Sequence, residues 1–263
     1  MSEGKTSWTN RIKIVNDYWT NPKEIPEYRV KMLEAIIEEL NKNKENTLMD
    51  CGCGTGLLFE YLPDKYKDRY YGVDFTQEMI DYCKNQYPDY EDRFKRMDLT
   101  KINNEDRQFF DAHAIYVTQN VMQHILLFQE ALDNIFYSAT NVIILCERTH
   151  ELNTCIVGYE PAYRWRFNLK DFYDILNFYK TIYDYAGDIE ILGQPKTTDD
   201  IEKAVTMFRV YRYIPLKLSS DILKEYNDKY FNRVKTVIRK RLPPLSRKQR
   251  IINFIKKVIN VFF

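Results

Sequence analysis

Apolar positions along this chain of 263 residues change period twice. Over 26–41 (PEYRVKMLEAIIEELN), Val30, Leu33, Ile36, Ile37 and Leu40 recur at helical spacing, and Pro26 suits a first turn. Residues 8–22 read as an earlier helix. Short apolar runs follow: TLMDC (47–51), YYGVD (70–74), RFKRMD (93–98), AHAIYVT (112–118) and NVIILCE (141–147). Helical patterns at 57–62, 77–86 and 126–138 lie between them. Strands alternating with helices predict a parallel sheet covered on both faces. IEILG (189–193) and TMFRVYRYI (206–214) predict two further strands, and the short connection 194–205 makes them an antiparallel pair at one edge. The expected fold is therefore α/β: a doubly wound, mostly parallel, seven-stranded sheet with an antiparallel edge hairpin.

Three parts frame this reading. Residues 1–44 form an N-terminal helical lid, 45–214 the sheet domain, and 215–263 a C-terminal helical tail. Within the domain, 148–168 (RTHELNTCIVGYEPAYRWRFN) is a polar, aromatic insertion, followed by a helix at 169–180 capped by Asn168. The tail reads as a helix at 219–240, a breaker at Pro243-Pro244, and a second helix at 247–263. In the second helix Ile251, Phe254, Ile255, Val258, Ile259 and Phe262 share one face.

Composition narrows the class. Apolar residues at 44% and charged residues at 29% give a globular balance. No run of 18 uncharged apolar residues is present, which excludes a spanning helix, and MSEGKTSWTNRIK has no apolar signal region. The five cysteines are odd in number and two share one glycine loop, so a reducing cytoplasm is expected rather than a disulfide framework. A C-x-C pair with only three histidines in the chain is a poor zinc signature, so no metal is expected.

Charge is divided unevenly. Residues 215–263 hold 13 Lys and Arg against three Asp and Glu, so residues 1–214 hold 26 against 35, a net −9. A basic amphipathic tail suits an anionic membrane surface, which would place the chain peripherally at the inner membrane face. The alternatives are packing on its own domain, a homo-oligomer through the tail, or RNA phosphates. The terminal Val261-Phe262-Phe263 favours lipid or a partner over nucleic acid.

The chemistry concentrates in Asp50-Cys-Gly-Cys-Gly-Thr-Gly56, which follows an apolar run and opens a helix. Three of the chain's eight glycines, Gly52, Gly54 and Gly56, fall in these residues. The spacing G-x-G-x-G, with Leu57 next, lacks the third glycine of a dinucleotide fingerprint. Asp50 would repel a phosphate and suit an amino group. Asp74, ending the second run, can accept both hydroxyls of a ribose. Asp98, ending the third, can accept from an adenine amino group. Together these describe a site for a nucleoside carrying a cationic, amine-bearing arm and no phosphate.

DCGCGTG (50–56), GVDFTQEMIDYCKNQYP (72–88), RMDLT (96–100) and NVMQHI (120–125) resemble the class I S-adenosylmethionine-dependent methyltransferases over about residues 45–150. The resemblance implies a Rossmann-like transferase with S-adenosyl-L-methionine as cofactor. It implies that the glycine loop follows the methionine arm and that Asp74 takes the ribose hydroxyls. It also implies that Asp98 and the Leu99 backbone take the adenine, with Phe75 and Met79 packing on the adenine face. One departure stands out: Asp111 lies thirteen residues before His124, where family members usually show about ten. That leaves Thr118, Gln119 and Asn120 as alternatives to face the sulfonium, with Gln119 favoured.

Methyl transfer from a sulfonium is an in-line displacement, so the protein mainly aligns the acceptor and excludes water. A hydroxyl acceptor wants a general base; the candidates are His124 and His150, while His113 reads as packing inside a strand. TQNVMQ (118–123) contains neither the Pro-Pro motif of amino-directed nucleic-acid enzymes nor a Pro-Cys nucleophile, and Cys51 and Cys53 read as small fillers. The remaining acceptors include small molecules, saccharides, lipid-linked glycans and proteins, of which a saccharide is preferred, in a biosynthetic role. Tyr18, Trp19, Tyr163, Arg164 and Trp165 are the candidate acceptor contacts. An RNA methyltransferase using the basic tail and a non-catalytic cofactor-binding scaffold are the competing expectations.

Overall fold

The structure is a computed structural model, and it describes residues 27–111, 113–150, 153–159, 162–192 and 205–212, with the side chains of 157–164 outside the description. Helix α1 (Glu27–Lys42) leads into β1 (Leu48–Cys51). Next come α2 (Leu57–Tyr61), α3 (Asp64–Lys67), β2 (Tyr70–Asp74), α4 (Gln77–Gln86) and β3 (Phe94–Arg96). Then follow α5 (Asn104–Phe110), β4 (Ile115–Gln119), α6 (Phe128–Ser138) and β5 (Val142–His150). The chain continues through β6 (Cys155–Tyr159), β7 (Ala162–Asn168), α7 (Leu169–Ile182), β8 (Ile189–Leu192) and β9 (Val205–Tyr211).

The sheet runs β3-β2-β1-β4-β5-β9-β8. Its first five strands are parallel, β9 is antiparallel to β5, and β8 is antiparallel to β9. These seven strands form the expected doubly wound sheet with an antiparallel edge, and β7 and β6, joined to the end of β5, extend it to nine. Side chains alternate across it because the strand period is two. Leu48, Tyr70, Ile115, Val117, Ile144 and Met207 face α1, α2 and α4, while Met49, Val73, Tyr116, Ile143, Leu145 and Phe208 face α5, α6 and α7.

Helix α1 lies with a fixed polarity. At its end, Glu39 is fully buried and accepts from Tyr211 Oη (2.8 Å) and from Asn141 Nδ2 (3.5 Å), near the start of β5. At its beginning, Tyr28 and Arg29 reach Gln119, the last residue of β4. The start of α1 therefore stands at the carboxyl ends of the parallel strands.

Several local expectations change. The polar, aromatic stretch 148–168, given no elements from the sequence, is largely strand: β5 continues to His150, and β6 and β7 pair as an antiparallel hairpin from Cys155↔Arg166 to Tyr159↔Ala162. Thr149 and His150 pair in parallel with Phe167 and Asn168, so the hairpin hangs from the carboxyl end of β5. Alternation of Trp165 and Phe167 with Arg164 and Arg166 is a strand pattern, and Phe167 is buried against Phe128 and Phe172. Helix α5 was not expected; its cap is Asn103, whose Oδ1 accepts from Asp106 N at 2.8 Å. Strand β4 starts at Ile115, later than residue 112, because Asp111 caps α5. His113 is accordingly in the turn before the strand, not inside it. Its ring nitrogens lie 2.9 Å from Thr47 Oγ1 and 2.9 Å from Phe109 O, and burial pushes its pKa down. Asn168 caps α7 as expected, accepting from Lys170 N and Asp171 N. The readings for 8–22, the connection 194–204 and the tail 215–263 lie outside the described residues.

Phe208 sits in the middle of β9, fully buried, with its ring 5.3 Å from that of Phe172. Phe208→Ala should cost about 3–5 kcal/mol of unfolding free energy in chemical denaturation. Phe178→Ala, on the exposed side of α7, should change it by no more than about 0.5 kcal/mol.

Candidate active site

Parallel pairing brings the sequence-selected residues to one edge. Cys51 lies opposite Val73 on β2 and Thr118 on β4, so the chain leaves β1, β2 and β4 at nearly one level. Asp50, the glycine loop, Asp74 and Gln119 follow from those exits, and Asp98 follows two residues after β3. In open α/β sheets this carboxyl edge is where ligands bind.

The glycine loop is fixed from both sides. Gly52 N and Cys53 N both donate to Val73 O, at 2.7 and 2.9 Å. Gly54 N donates to Asp74 Oδ2 at 3.0 Å, while Thr76 N donates to Asp74 Oδ1 at 2.8 Å. Gly52 has φ +88, and a Cβ on it would lie 2.4 Å from Val121 Cγ2. No larger residue fits there. Gly54 has φ +55, and a Cβ on it would meet no atom within 4 Å. The backbone at Gly54 therefore borders open space, the room a ligand arm needs. Gly56 packs on α4, where a Cβ would lie 2.9 Å from Tyr87 Cε2.

Acidic groups dominate the electrostatics. Asp50 is buried, and Tyr70 Oη donates to its Oδ2 at 2.7 Å. Burial pushes its pKa up to about 7 against the Tyr70 hydrogen bond, and nearby Asp74 adds to the rise. Burial also raises Asp74, opposed by the amides of Thr76, Gly54 and Phe75. Two buried carboxyls beside an open backbone, one raising the other, favour a cation and disfavour a phosphate. Each Asp74 oxygen is already oriented by a backbone amide and retains lone-pair capacity for a hydroxyl. Asp98 Oδ1 accepts from Thr100 N (3.0 Å) and Thr100 Oγ1 (2.7 Å), which fixes its carboxylate. Phe75 is 46% exposed just beyond β2, an apolar face of the kind an adenine ring would cover. Met79 is buried, and Leu99 is buried with its carbonyl accepting from Asn134 Nδ2 at 2.8 Å. The donor set, the open backbone at Gly54 and the absence of a basic side chain in 50–56 all fit a nucleoside with a cationic arm.

Other candidates are placed less centrally. His124 ends a short helical turn, Met122–His124, after β4, with Nε2 3.2 Å from Gln123 Nε2. His150 ends β5 beside Asn168. Both histidines thus lie at the carboxyl edge. Trp165 donates from Nε1 to Leu126 O at 3.3 Å and packs its ring on Phe128 and Phe167. It braces the hairpin against the turn after β4. Tyr163 and Arg164 lie on β7 with side chains outside the description, and Tyr18 and Trp19 are outside the described residues. Among the described residues, no cluster of three or more His, Cys, Asp or Glu could hold a metal.

Two residues were missed, Arg29 and Glu147. Gln119, with its amide oxygen turned toward α1, accepts from Arg29 Nε (2.5 Å) and Nη2 (3.1 Å), beside Tyr28 Oη. Arg29 is buried, although its position in the helical pattern looked polar. Glu147 is 0% exposed on β5, and its Oε1 accepts from Thr118 Oγ1 and from the backbone of Val121 and Met122. Its only sequence signal is a charge at the end of an apolar run.

Comparison with known proteins agrees with this geometry. Residues 48–139 match a family described as a methyltransferase domain. No curated protein matches the chain in sequence. Among solved structures, the N-terminal domain of EvdMO1, crystallised in the presence of SAH and D-fucose, is similar at TM-score 0.56 and 10% identity, over 80% of this chain and 97% of that one. An S-adenosylmethionine-dependent methyltransferase from Clostridium acetobutylicum is similar at TM-score 0.50 and 15% identity, over 77% and 98%. The methyltransferase domain of bacterial CtHen1 is similar at TM-score 0.51 and 16% identity, over 70% and 97%.

The raised pKa of Asp50 carries a sign. A carboxyl whose folded pKa lies above its unfolded value contributes stability below the unfolded value, and that contribution is lost as pH rises through about 7. The ligand-free protein should therefore lose stability at this group between about pH 4 and 7. Asp50→Asn, which still accepts from Tyr70, should flatten that dependence by on the order of 2 kcal/mol in denaturant titrations at several pH values. An unchanged pH slope in the variant would refute a buried, proton-binding Asp50.

The glycine loop between β1 and β2, the acidic residues at the strand ends and the matched residues agree: residues 48–139 carry a methyltransferase domain of the S-adenosylmethionine-dependent kind, with S-adenosyl-L-methionine as its cofactor.

Proposed function

We propose that this methyltransferase acts in line on the hydroxyl or amine of a small molecule or saccharide held at the carboxyl edge of β4 and β5. The observation that carries this reading is the β6–β7 hairpin. It hangs from the end of β5 and is braced by Trp165 to Leu126, beside the turn that contains His124. A hairpin there walls the acceptor side and favours a small enclosed substrate over an open groove. The net −9 of residues 1–214 supports the same reading, because phosphate contacts dominate nucleic-acid affinity. Similarity to EvdMO1 and to CtHen1 bears on the fold and not on the acceptor.

When bound, S-adenosylmethionine supplies a methyl group already activated on a sulfonium. The chain's residues then have three tasks. Asp74 and Asp98 hold the nucleoside. Gln119, fixed by Arg29, lines the place where methyl and acceptor meet. His124 or His150 accepts a proton from a hydroxyl acceptor, or the acceptor is an amine that arrives neutral. The proposal includes the basic tail, 215–263, as a contact with an anionic membrane on its cytoplasmic face, which suits a lipid-linked glycan acceptor in saccharide biosynthesis.

A transfer assay with methyl-labelled cofactor tests the acceptor class on panels of sugars, glycan-lipids, small amines and RNA. Label should move to a small hydroxyl or amine compound, and Asp74→Ala should abolish it. Transfer to RNA alone, falling steeply with salt, would replace this reading with the RNA one. Sedimentation with anionic and neutral vesicles checks the tail. Binding should require anionic lipid and disappear when 215–263 is removed; equal binding to both kinds of vesicle, or none, contradicts a membrane contact.

A further inference from the structure

We propose that Glu147 is a positioning residue for the cofactor: from β5 it fixes the turn after β4, and through that turn it holds the glycine loop in place. This rests on the cofactor site of the methyltransferase domain and is independent of the acceptor.

Glu147 Oε1 gathers three donors: Thr118 Oγ1 at 3.0 Å, Val121 N at 3.1 Å and Met122 N at 3.2 Å. A buried carboxylate holding two backbone amides and a hydroxyl ties β5 to the turn with charge-assisted bonds. The turn needs this restraint. Asn120 stands at φ +56, a left-handed conformation that a non-glycine residue adopts at a cost. Asn120 N donates to Cys146 O at 2.8 Å, a second tie to β5 one residue before Glu147.

The restrained turn is in contact with the glycine loop. Val121 follows Asn120 and supplies the wall that a Cβ on Gly52 would strike at 2.4 Å. On its other side the loop is held by Val73 O and Asp74. Gly52 thus sits between β2 and a turn whose place is set by Glu147. Gln119, one residue before the turn, is carried by the same restraint. Loss of the Glu147 acceptor would leave the buried Met122 amide and the part-buried Val121 amide without this partner, and the turn would move to satisfy them.

The test is calorimetric titration with S-adenosylhomocysteine, which needs no acceptor and no turnover. Glu147→Ala, folded by circular dichroism, should bind about tenfold more weakly, the worth of roughly one net hydrogen bond. Glu147→Gln keeps an acceptor oxygen for the three donors and should restore the dissociation constant to within about threefold. Val121→Ala removes the wall on Gly52 and should also weaken binding; combined with Glu147→Ala, the two losses should be less than additive, because they act through one contact. Unchanged binding in folded Glu147→Ala overturns the proposal, as does a Gln variant as weak as the Ala one. If Glu147→Ala does not fold, Val121→Ala decides: unchanged affinity there also overturns it. A wild-type protein that binds no S-adenosylhomocysteine would instead refute the cofactor site itself.

Discussion

In the middle of the sheet, β1 pairs with β2 on one edge and with β4 on the other, both in parallel. Parallel strands must all be left at the same end, so every loop that follows them is forced into one region. Asp50, the glycine loop, Asp74 and Gln119 share a site for that reason. The close approach of two of these loops then demands glycine at 52, where the Val121 side chain occupies the space of a Cβ. The order of the strands decides which loops meet; the chemistry of the site follows from what those loops carry.

The same crowding places acidic groups where water is scarce. Asp50 and Glu147 are both buried, and burial pushes each up to about 7. Each is held by neutral donors, Tyr70 for the first and a hydroxyl with two amides for the second. A site assembled this way opposes folding slightly in the absence of ligand and becomes more favourable when a cation enters. Elsewhere the fold is conventional in its energetics: two aliphatic and aromatic layers, one on each face of the sheet, supply the burial that outweighs these costs.

Much of this was legible in the sequence because it depends on local patterns. The apolar runs, the helical spacing of 77–86 and the glycine loop each specify their element with few competing readings. The candidate cofactor residues could be picked out because they lie at strand ends, which a run of apolar residues marks. What escaped depends on long-range contacts. Arg29 has an ordinary helical position, and only its meeting with Gln119, ninety positions away in the chain, gives it a role. Glu147 needed the turn after β4 to be visible. The β6–β7 hairpin was obscured because 148–168 stood out as a polar, aromatic stretch, although Trp165 and Phe167 alternate as a strand. Trp165, chosen as a candidate acceptor contact, also braces that turn through its bond to Leu126 O.

The central claim is that the edge formed by Asp50, Gly54 and Asp74 holds S-adenosylmethionine. Calorimetric titration of the wild-type protein and of Asp74→Ala with S-adenosylmethionine, with NADH as a control, tests it most directly. Saturable binding to the wild type is expected, with binding lost in the variant and no heat from NADH. Binding of NADH, or no binding of S-adenosylmethionine by the wild type, would contradict it.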